Sequence, residues 1–307
     1  MLGGVNRLSR TVRCGFAWLM LVGCSSKAAP IEKTCSLPTI DAGAAWLFPL
    51  DAGGAGHFEI LLYTYSTGYR HASIPDGINA ICALGAANGF GVDVQGTEAD
   101  TAGSYCANRP VAGATQFTTQ GLSRYAAVVF LNTTTTPGTS LLDEAGQAAL
   151  ETYIRTGGGF VGVHAAADAE YGWPFYQELL GARFLAHGPP VTASLRVEDA
   201  AHPAMRHLPN PWSRFDEWFD FTENPRPTAH VLLNLDETTY PDNPAPMGDH
   251  PIAWCKAVGT GRSFYTGLGH SGAAFGDPDV LRHLLGGILY AARAMPADCS
   301  VVGESEN

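Results

Sequence analysis

Gly157-Gly158-Gly159-Phe160-Val161-Gly162-Val163-His164-Ala165-Ala166 is the stretch that decides the fold. Three glycines stop the helical pattern before it, and Phe160 to Val163 read as a buried strand. That strand ends on a histidine in a turn of small residues. The same unit recurs upstream. Phe58 to Tyr63 reads as a strand, Ile74 to Asn88 as a helix, Val92 to Val94 as a second strand and Ala126 to Leu131 as a fully buried one. Ser140 to Thr156 reads as a helix, with Ser140 as N-cap and Asp143 at the third position. Strands alternating with helices over short links predict a parallel sheet covered on both faces.

Downstream the pattern changes and then returns. Val191 to Glu198, Arg214 to Phe221 and Val231 to Leu235 are strand-like runs with few helical signals between them. They predict an antiparallel insertion or an extension of the same sheet. Arg262 to Gly267 then reads as a strand, followed by an amphipathic helix from about Asp279 to Ala294. The expected class is α/β, a mainly parallel sheet with a β-rich insertion.

Composition narrows the class of function. Of 307 residues, 46% are hydrophobic and only 15% charged, against an average near a quarter, so the surface is poor in charge. A net charge of -11 excludes a general phosphate-backbone binder, and no nucleic acid partner is expected. Arg7, Arg10 and Arg13 precede an apolar run from Gly15 to Gly23, too short to span a bilayer and suited to a secretory signal. Leu21-Val22-Gly23-Cys24 resembles the lipobox of bacterial lipoproteins, which makes Cys24 the expected lipidation site. Ser25 and Ser26 follow without a retaining Asp, which points to the outer membrane of the cell envelope, with lipid as the only membrane contact. Removal of residues 1–23 would take three arginines and no acids, leaving -14. Residues 24–56 read as a tether, 57–295 as the folded domain and 296–307 as a tail.

Export permits disulfides. Cys82 with Cys106 and Cys35 with Cys299 are the expected pairs, with Cys255 a buried free thiol in the apolar run Ile252-Ala253-Trp254-Cys255. No spacing matches a zinc knuckle or a redox CxxC.

Ten histidines in so uncharged a chain carry the chemical signal. His71 follows the first strand, His164 ends the decisive one, and His270 ends Tyr265-Thr266-Gly267-Leu268-Gly269-His270. Ligands in open α/β sheets bind beyond the carboxyl ends of strands, and neighbouring parallel strands would bring these ends within about 10 Å. Arg214-Phe215-Asp216-Glu217-Trp218-Phe219 adds adjacent carboxylates, of which a continuous strand would turn only one, Glu217, toward the pocket. Imidazoles with a carboxylate suit acid–base chemistry, or a divalent metal held by His71, His164, His270 and Glu217. His187, in Ala186-His187-Gly188-Pro189, lies on an expected loop over the same pocket. His202 and His250 precede prolines and read as structural, and His57, His207, His230 and His283 as background. No Gly-x-Ser-x-Gly elbow or P-loop is present.

Four segments together resemble a known family. Gly157 to Ala166, Asp216-Glu217-Trp218, Gly248-Asp249-His250-Pro251-Ile252-Ala253-Trp254 and Phe264 to His270 are similar, in order, to the ThuA-like family named for trehalose utilisation. The resemblance runs from about His57 to Met295. It implies a flavodoxin-like, three-layer sandwich similar to class I glutamine amidotransferases. His164 falls where those enzymes carry a cysteine, and His270 matches their later histidine. Without the cysteine, glutaminase activity is not implied. The family keeps company with sugar oxidoreductases, which implies disaccharides or their keto derivatives, and the export signal favours a carbohydrate outside the inner membrane. Two functions follow: a carbohydrate-active hydrolase or lyase, or a non-catalytic sugar-binding module. Tyr69, Arg70, Trp173 and Trp218 are the substrate-binding candidates, with Trp212 and Trp254 as further stacking surfaces.

Overall fold

The runs Ala127–Leu131 and Gly159–Val163 are buried at every position, so they can lie only in the middle of a layered sheet, and that is where they lie. The computed structural model describes residues 57–97, 106 and 116–301. Its first half alternates β1 (Glu59–Tyr63), α1 (Ile74–Asn88), β2 (Gly91–Gln95), β3 (Ala127–Leu131), α2 (Glu144–Arg155) and β4 (Gly159–Val163). After β4 come α3 (Pro174–Leu180), β5 (Phe184–His187), β6 (Val191–Val197), β7 (Trp212–Asp216), β8 (Phe219–Phe221), β9 (His230–Asp236), β10 (Pro251–Val258), β11 (Gly261–Thr266) and α4 (Pro278–Ala291).

One nine-stranded sheet has the order β2-β1-β3-β4-β11-β10-β9-β6-β7. From β2 to β11 the neighbours are parallel; beyond β11 they are antiparallel. The β-rich region therefore extends the main sheet, while β5 and β8 form a separate two-stranded ribbon. Alternation explains the layers. Ile60, Leu62, Val129, Leu131, Val161 and Val163 pack with α1 and α4 on one face. Leu61, Val128, Phe130 and Phe160 pack with α2 and α3 on the other. The result is a three-layer α/β sandwich.

Local chemistry shifts some boundaries. α2 begins at Glu144 because Asp143, not Ser140, is the N-cap, accepting from Gly146 N at 2.8 Å. Ser140 instead donates to the buried carboxylate of Glu170. The run Arg214 to Phe221 is not one strand: it breaks at Glu217-Trp218 between β7 and β8. β5 is a strand where the sequence predicts a loop, and His187 stands at its end.

Cys82 and Cys106 are bonded as expected. The second disulfide corrects the sequence reading, because Cys299 pairs with Cys255 and neither Cys35 nor a free thiol is involved. The reason is the path of the last described residues. Ser300 O accepts from His230 Nδ1 on β9, the neighbour of β10, and this carries Cys299 over Cys255. The signal run, Cys24, the tether and Cys35 lie outside the described residues. Among the described residues, no helix is long and apolar enough to cross a membrane.

Several histidines are structural. His283 is fully buried, its Nδ1 facing Ala204 O at 3.2 Å and its Nε2 facing Thr266 Oγ1 at 2.9 Å. Nδ1 therefore donates and Nε2 accepts, which fixes a neutral ring. Burial pushes His283 down to about 3 and His202 down to about 4. In the unfolded chain both titrate near 6.5. The folded state thus binds fewer protons below that pH, so stability is complete above about 6.5 and lost as pH falls. Urea unfolding should show each histidine contributing about 1.4 kcal/mol of loss per pH unit below about 6. His283→Gln should flatten that slope by close to one proton even though it lowers stability at neutral pH. An unaltered slope would contradict the buried, neutral assignment.

Candidate functional site

Parallel strands β1, β3, β4 and β11 open their carboxyl ends at one edge, and the site is built there. His164 follows β4 directly with φ +47°, a left-handed conformation uncommon for a residue with a side chain. Two bonds hold it: Tyr265 OH donates to His164 O at 2.9 Å, and His164 Nδ1 donates to Gly267 O at 2.8 Å. Phe219 lies against the imidazole at 4.3 Å between ring centres. Gly162, two residues earlier, answers a packing requirement. A Cβ there would stand 2.8 Å from Leu180 Cδ1 and 3.1 Å from Tyr265 Cδ2, so its smallness lets the sheet pack.

The turn after β11 presents His270. Gly269 sits at φ +116°, where a side chain would be strained. The buried carboxylate of Asp216 grips this turn. Its Oδ2 accepts from Gly269 N at 3.0 Å, and its Oδ1 accepts from His270 N at 3.1 Å and Glu217 N at 3.0 Å. From β3, Asn132 donates to Gly269 O at 3.1 Å and to Ser73 Oγ at 3.0 Å, tying the turn to the start of α1. The break after β7 lets both acids work on one site: Asp216 on the backbone, Glu217 on the imidazoles. Sequence reasoning turned only one acid inward and so missed Asp216. The adjacent acids were its signal; the strand break had none.

His71, His164, His270 and Glu217 come together as expected. The His71 ring lies 5.1 Å from His164 and 5.4 Å from His270, and His164 lies 5.4 Å from His270. One donor atom from each of the three histidines and Glu217 falls within 4.8 Å of the others. The protonation pattern is informative. His164 Nδ1 faces a carbonyl and must carry a proton, so in the neutral ring Nε2 holds the lone pair. That nitrogen stands 3.4 Å from Glu217 Oε2, and His270 Nδ1 stands 3.1 Å from the same oxygen. His71 Nδ1, His164 Nε2 and His270 Nδ1 are all buried without a hydrogen-bond partner. Where these nitrogens are unprotonated, their lone pairs and the carboxylate oxygen repel one another in a buried space, and a cation between them removes the conflict. Three imidazole nitrogens and one carboxylate oxygen fit a divalent ion.

Charge follows from the same crowding. Burial, aided by the imidazoles of His164 and His270, pushes His71 down to about 3. Burial works to raise Glu217, but His164 and His270 outweigh it and hold the carboxylate below its ordinary range. Glu217 beside His270 raises that imidazole above its usual value.

The other candidates divide. His187, at the end of β5, places Nδ1 3.1 Å from Glu217 Oε1, the oxygen opposite the cluster, and its side chain is 43% exposed. Tyr69 packs edge-on against His71 at 4.9 Å, while Arg70 turns back to Thr64 O. The tryptophans do not offer stacking faces. Trp218 is enclosed and donates to Val191 O, Trp254 is enclosed and donates to Leu180 O, and Trp173 and Trp212 are core residues. A second cluster, His202 with Cys255 and Cys299, has its sulfurs consumed by the disulfide. A groove of about 780 Å³ across β6 and β9 contains none of the histidine cluster, and its Asn210 and Asn234 are already bonded to Val197 and Asp249.

A family model described as ThuA, trehalose utilisation, matches residues 59–291, which spans the sheet and every residue of the cluster. The chain belongs to the ThuA family. That membership carries a carbohydrate-related role at the level of the family. A ThuA-like protein from Bacteroides uniformis is 25% identical, with a TM-score of 0.60, over 77% of this chain and 92% of its own. Another, from Parabacteroides merdae, is 22% identical with a TM-score of 0.59, over 77% and 90%, and shares the fold. No curated protein matches the chain.

Asp216→Asn tests the grip on the turn. One of the amide's two positions would present N–H to the backbone N–H of Gly269 or His270 and leave a buried donor unpaired. Urea unfolding should show a loss of about 1–3 kcal/mol. Wild-type stability in the variant would rule out this role for Asp216.

Proposed function

We propose that this ThuA-family chain is a carbohydrate-active enzyme, a hydrolase or lyase acting on a glycoside or its keto derivative at a divalent metal held by His71, His164, His270 and Glu217. The observation that carries this reading is the convergence of His71, His164, His270 and Glu217, one donor atom from each lying within 4.8 Å of the others. A bound divalent ion supplies Lewis acidity where negative charge develops on a substrate oxygen.

His187 is the acid–base residue. Its Nδ1 lies 3.1 Å from Glu217 Oε1 and 2.9 Å from Gly188 O, both acceptors, so Nδ1 keeps the proton and Nε2 keeps a lone pair. A neutral imidazole that is half exposed and oriented by a carboxylate can take a proton at Nε2 and return it to a leaving oxygen. In a keto sugar the carbon beside the carbonyl is the acidic position. Glu217 therefore has two tasks, one oxygen toward the three histidines and the other orienting His187. Asp216 touches neither ring and acts as a positioning residue through the backbone of Gly269 and His270.

We also place the enzyme in the cell envelope, anchored through Cys24, on the strength of the basic, apolar and Leu-Val-Gly-Cys segments. Labelled palmitate should enter the protein expressed with residues 1–23, and Cys24→Ala should abolish the label; labelling that persists in the variant overturns the anchor.

Metal analysis of the purified protein should find about one divalent ion per chain. Ala at His164, His270 or Glu217 should cut that below a tenth. His187→Gln should keep the ion and lower kcat on disaccharides or 3-keto disaccharides roughly 100-fold or more, the ordinary contribution of a general base. Full turnover by metal-free protein, or by His187→Gln, would refute these roles.

A further inference from the structure

His187 and Glu217 come from different stretches of the ribbon, and one hydroxyl ties those stretches together. β5 and β8 pair antiparallel with His187 opposite Phe219, so the next rung lies between Gly188 and Trp218. Tyr240 OH stands in that rung, accepting from Gly188 N and donating to Trp218 O at 3.2 Å. Gly188 follows His187 and Trp218 follows Glu217, so the bridged backbone groups lie one residue from each member of the pair. Tyr240 belongs to neither strand. It follows the turn Glu237–Thr239 after β9 and is enclosed. The same connection makes a second tie: His250 Nε2 donates to Phe219 O at 2.8 Å, while its Nδ1 meets Glu237 Oε1 at 2.9 Å. Glycine at 188 leaves room for the bridge. A Cβ there would stand 2.8 Å from the Tyr240 hydroxyl and 2.5 Å from Asp242 O.

Resting on the acid–base role given to His187 above, we infer that Tyr240 is its positioning residue, setting His187 against Glu217 and so fixing which imidazole nitrogen exchanges the proton. A phenol suits the rung because it accepts and donates through one atom. Burial raises Tyr240 above its usual value, so the donated proton is retained. A water in the same place would bridge as well but could exchange or turn, whereas a hydroxyl on an enclosed ring stays at one depth. Without the bridge, Gly188 N and Trp218 O lose their partner and the rung changes width. His187 Nδ1 then leaves Glu217 Oε1, which stands 3.1 Å away in the intact pair. The carboxylate no longer holds the proton on Nδ1, and Nε2 ceases to be reserved as the lone-pair nitrogen. Tyr240 acts through the backbone of Gly188 and Trp218, as Asp216 does through that of Gly269 and His270.

Nitrogen-15 spectra of the intact protein with labelled histidine test this, the His187 signals being assigned by their loss in His187→Gln. With neutral rings, wild-type His187 should show a protonated Nδ1 and a bare Nε2. Tyr240→Phe keeps the ring and removes the bridge. It should turn His187 into a mixture of both tautomers, lower kcat about tenfold or more and leave KM unaltered. Gly188→Ala, which crowds the hydroxyl out of the rung, should reproduce that signature with Tyr240 in place. A wild-type His187 carrying its proton on Nε2 would overturn the inference without any variant. So would a variant that keeps the wild-type tautomer, even with a lower Tm, because the hydroxyl would then be structural only. The spectra need no substrate, so they decide the inference even where no sugar is turned over. If the tautomer is lost and turnover stays whole, Tyr240 still positions the ring, and it is the acid–base reading of His187 that falls.

Discussion

A carboxylate buried among three imidazoles must be neutralised, and the rest of the molecule answers to that requirement. Glu217 is 5% exposed and stands within 3.4 Å of nitrogens from His164, His187 and His270. The imidazoles reach it only because β4 and β11 are adjacent and parallel, with β1 and β3 alongside. The acid reaches them only because the sheet turns antiparallel beyond β11 and brings β7 back toward the same edge. Two halves with different strand chemistry therefore meet at one oxygen pair.

Precision at that meeting point comes from backbone devices more than from the reactive groups. His164 is held in a left-handed turn by Tyr265 and by a bond to Gly267 O. His270 is held by Asp216 through two successive N–H groups. Beneath them, neutral His283 accepts from the Thr266 hydroxyl, whose oxygen accepts from Leu268 N. Each shell fixes the one above it, so the lone pairs are aimed before any ligand arrives.

Much of this was legible in sequence, for identifiable reasons. Continuous apolar runs ending in Gly-rich turns can only be central parallel strands, so the strand before His164 and the histidines at three strand ends followed from patterning. The Cys82–Cys106 bond was legible because its cysteines flank one connection. What failed was long-range or fine-grained. Cys255 and Cys299 meet only because the last described residues cross β9, a path no local spacing encodes. Trp218 looked like a sugar platform but fills the core, because an indole near a site and an indole in a core read the same one residue at a time. Asp216 was passed over because the strand break that lets neighbouring acids share a pocket leaves no mark in the alternation.

The separation of the site residues along the chain has a consequence for biogenesis. His71 and His270 stand about 200 residues apart, and Glu217 enters from a third region. Contacts of such long sequence range form late, after the entropy of closing large loops has been met. Nascent or misassembled chains therefore carry the individual histidines without the constellation. Anything that bridges these four side chains binds only the finished protein and holds it in that state. An occupant of the pocket would thus reward completion of the fold with added resistance to unfolding.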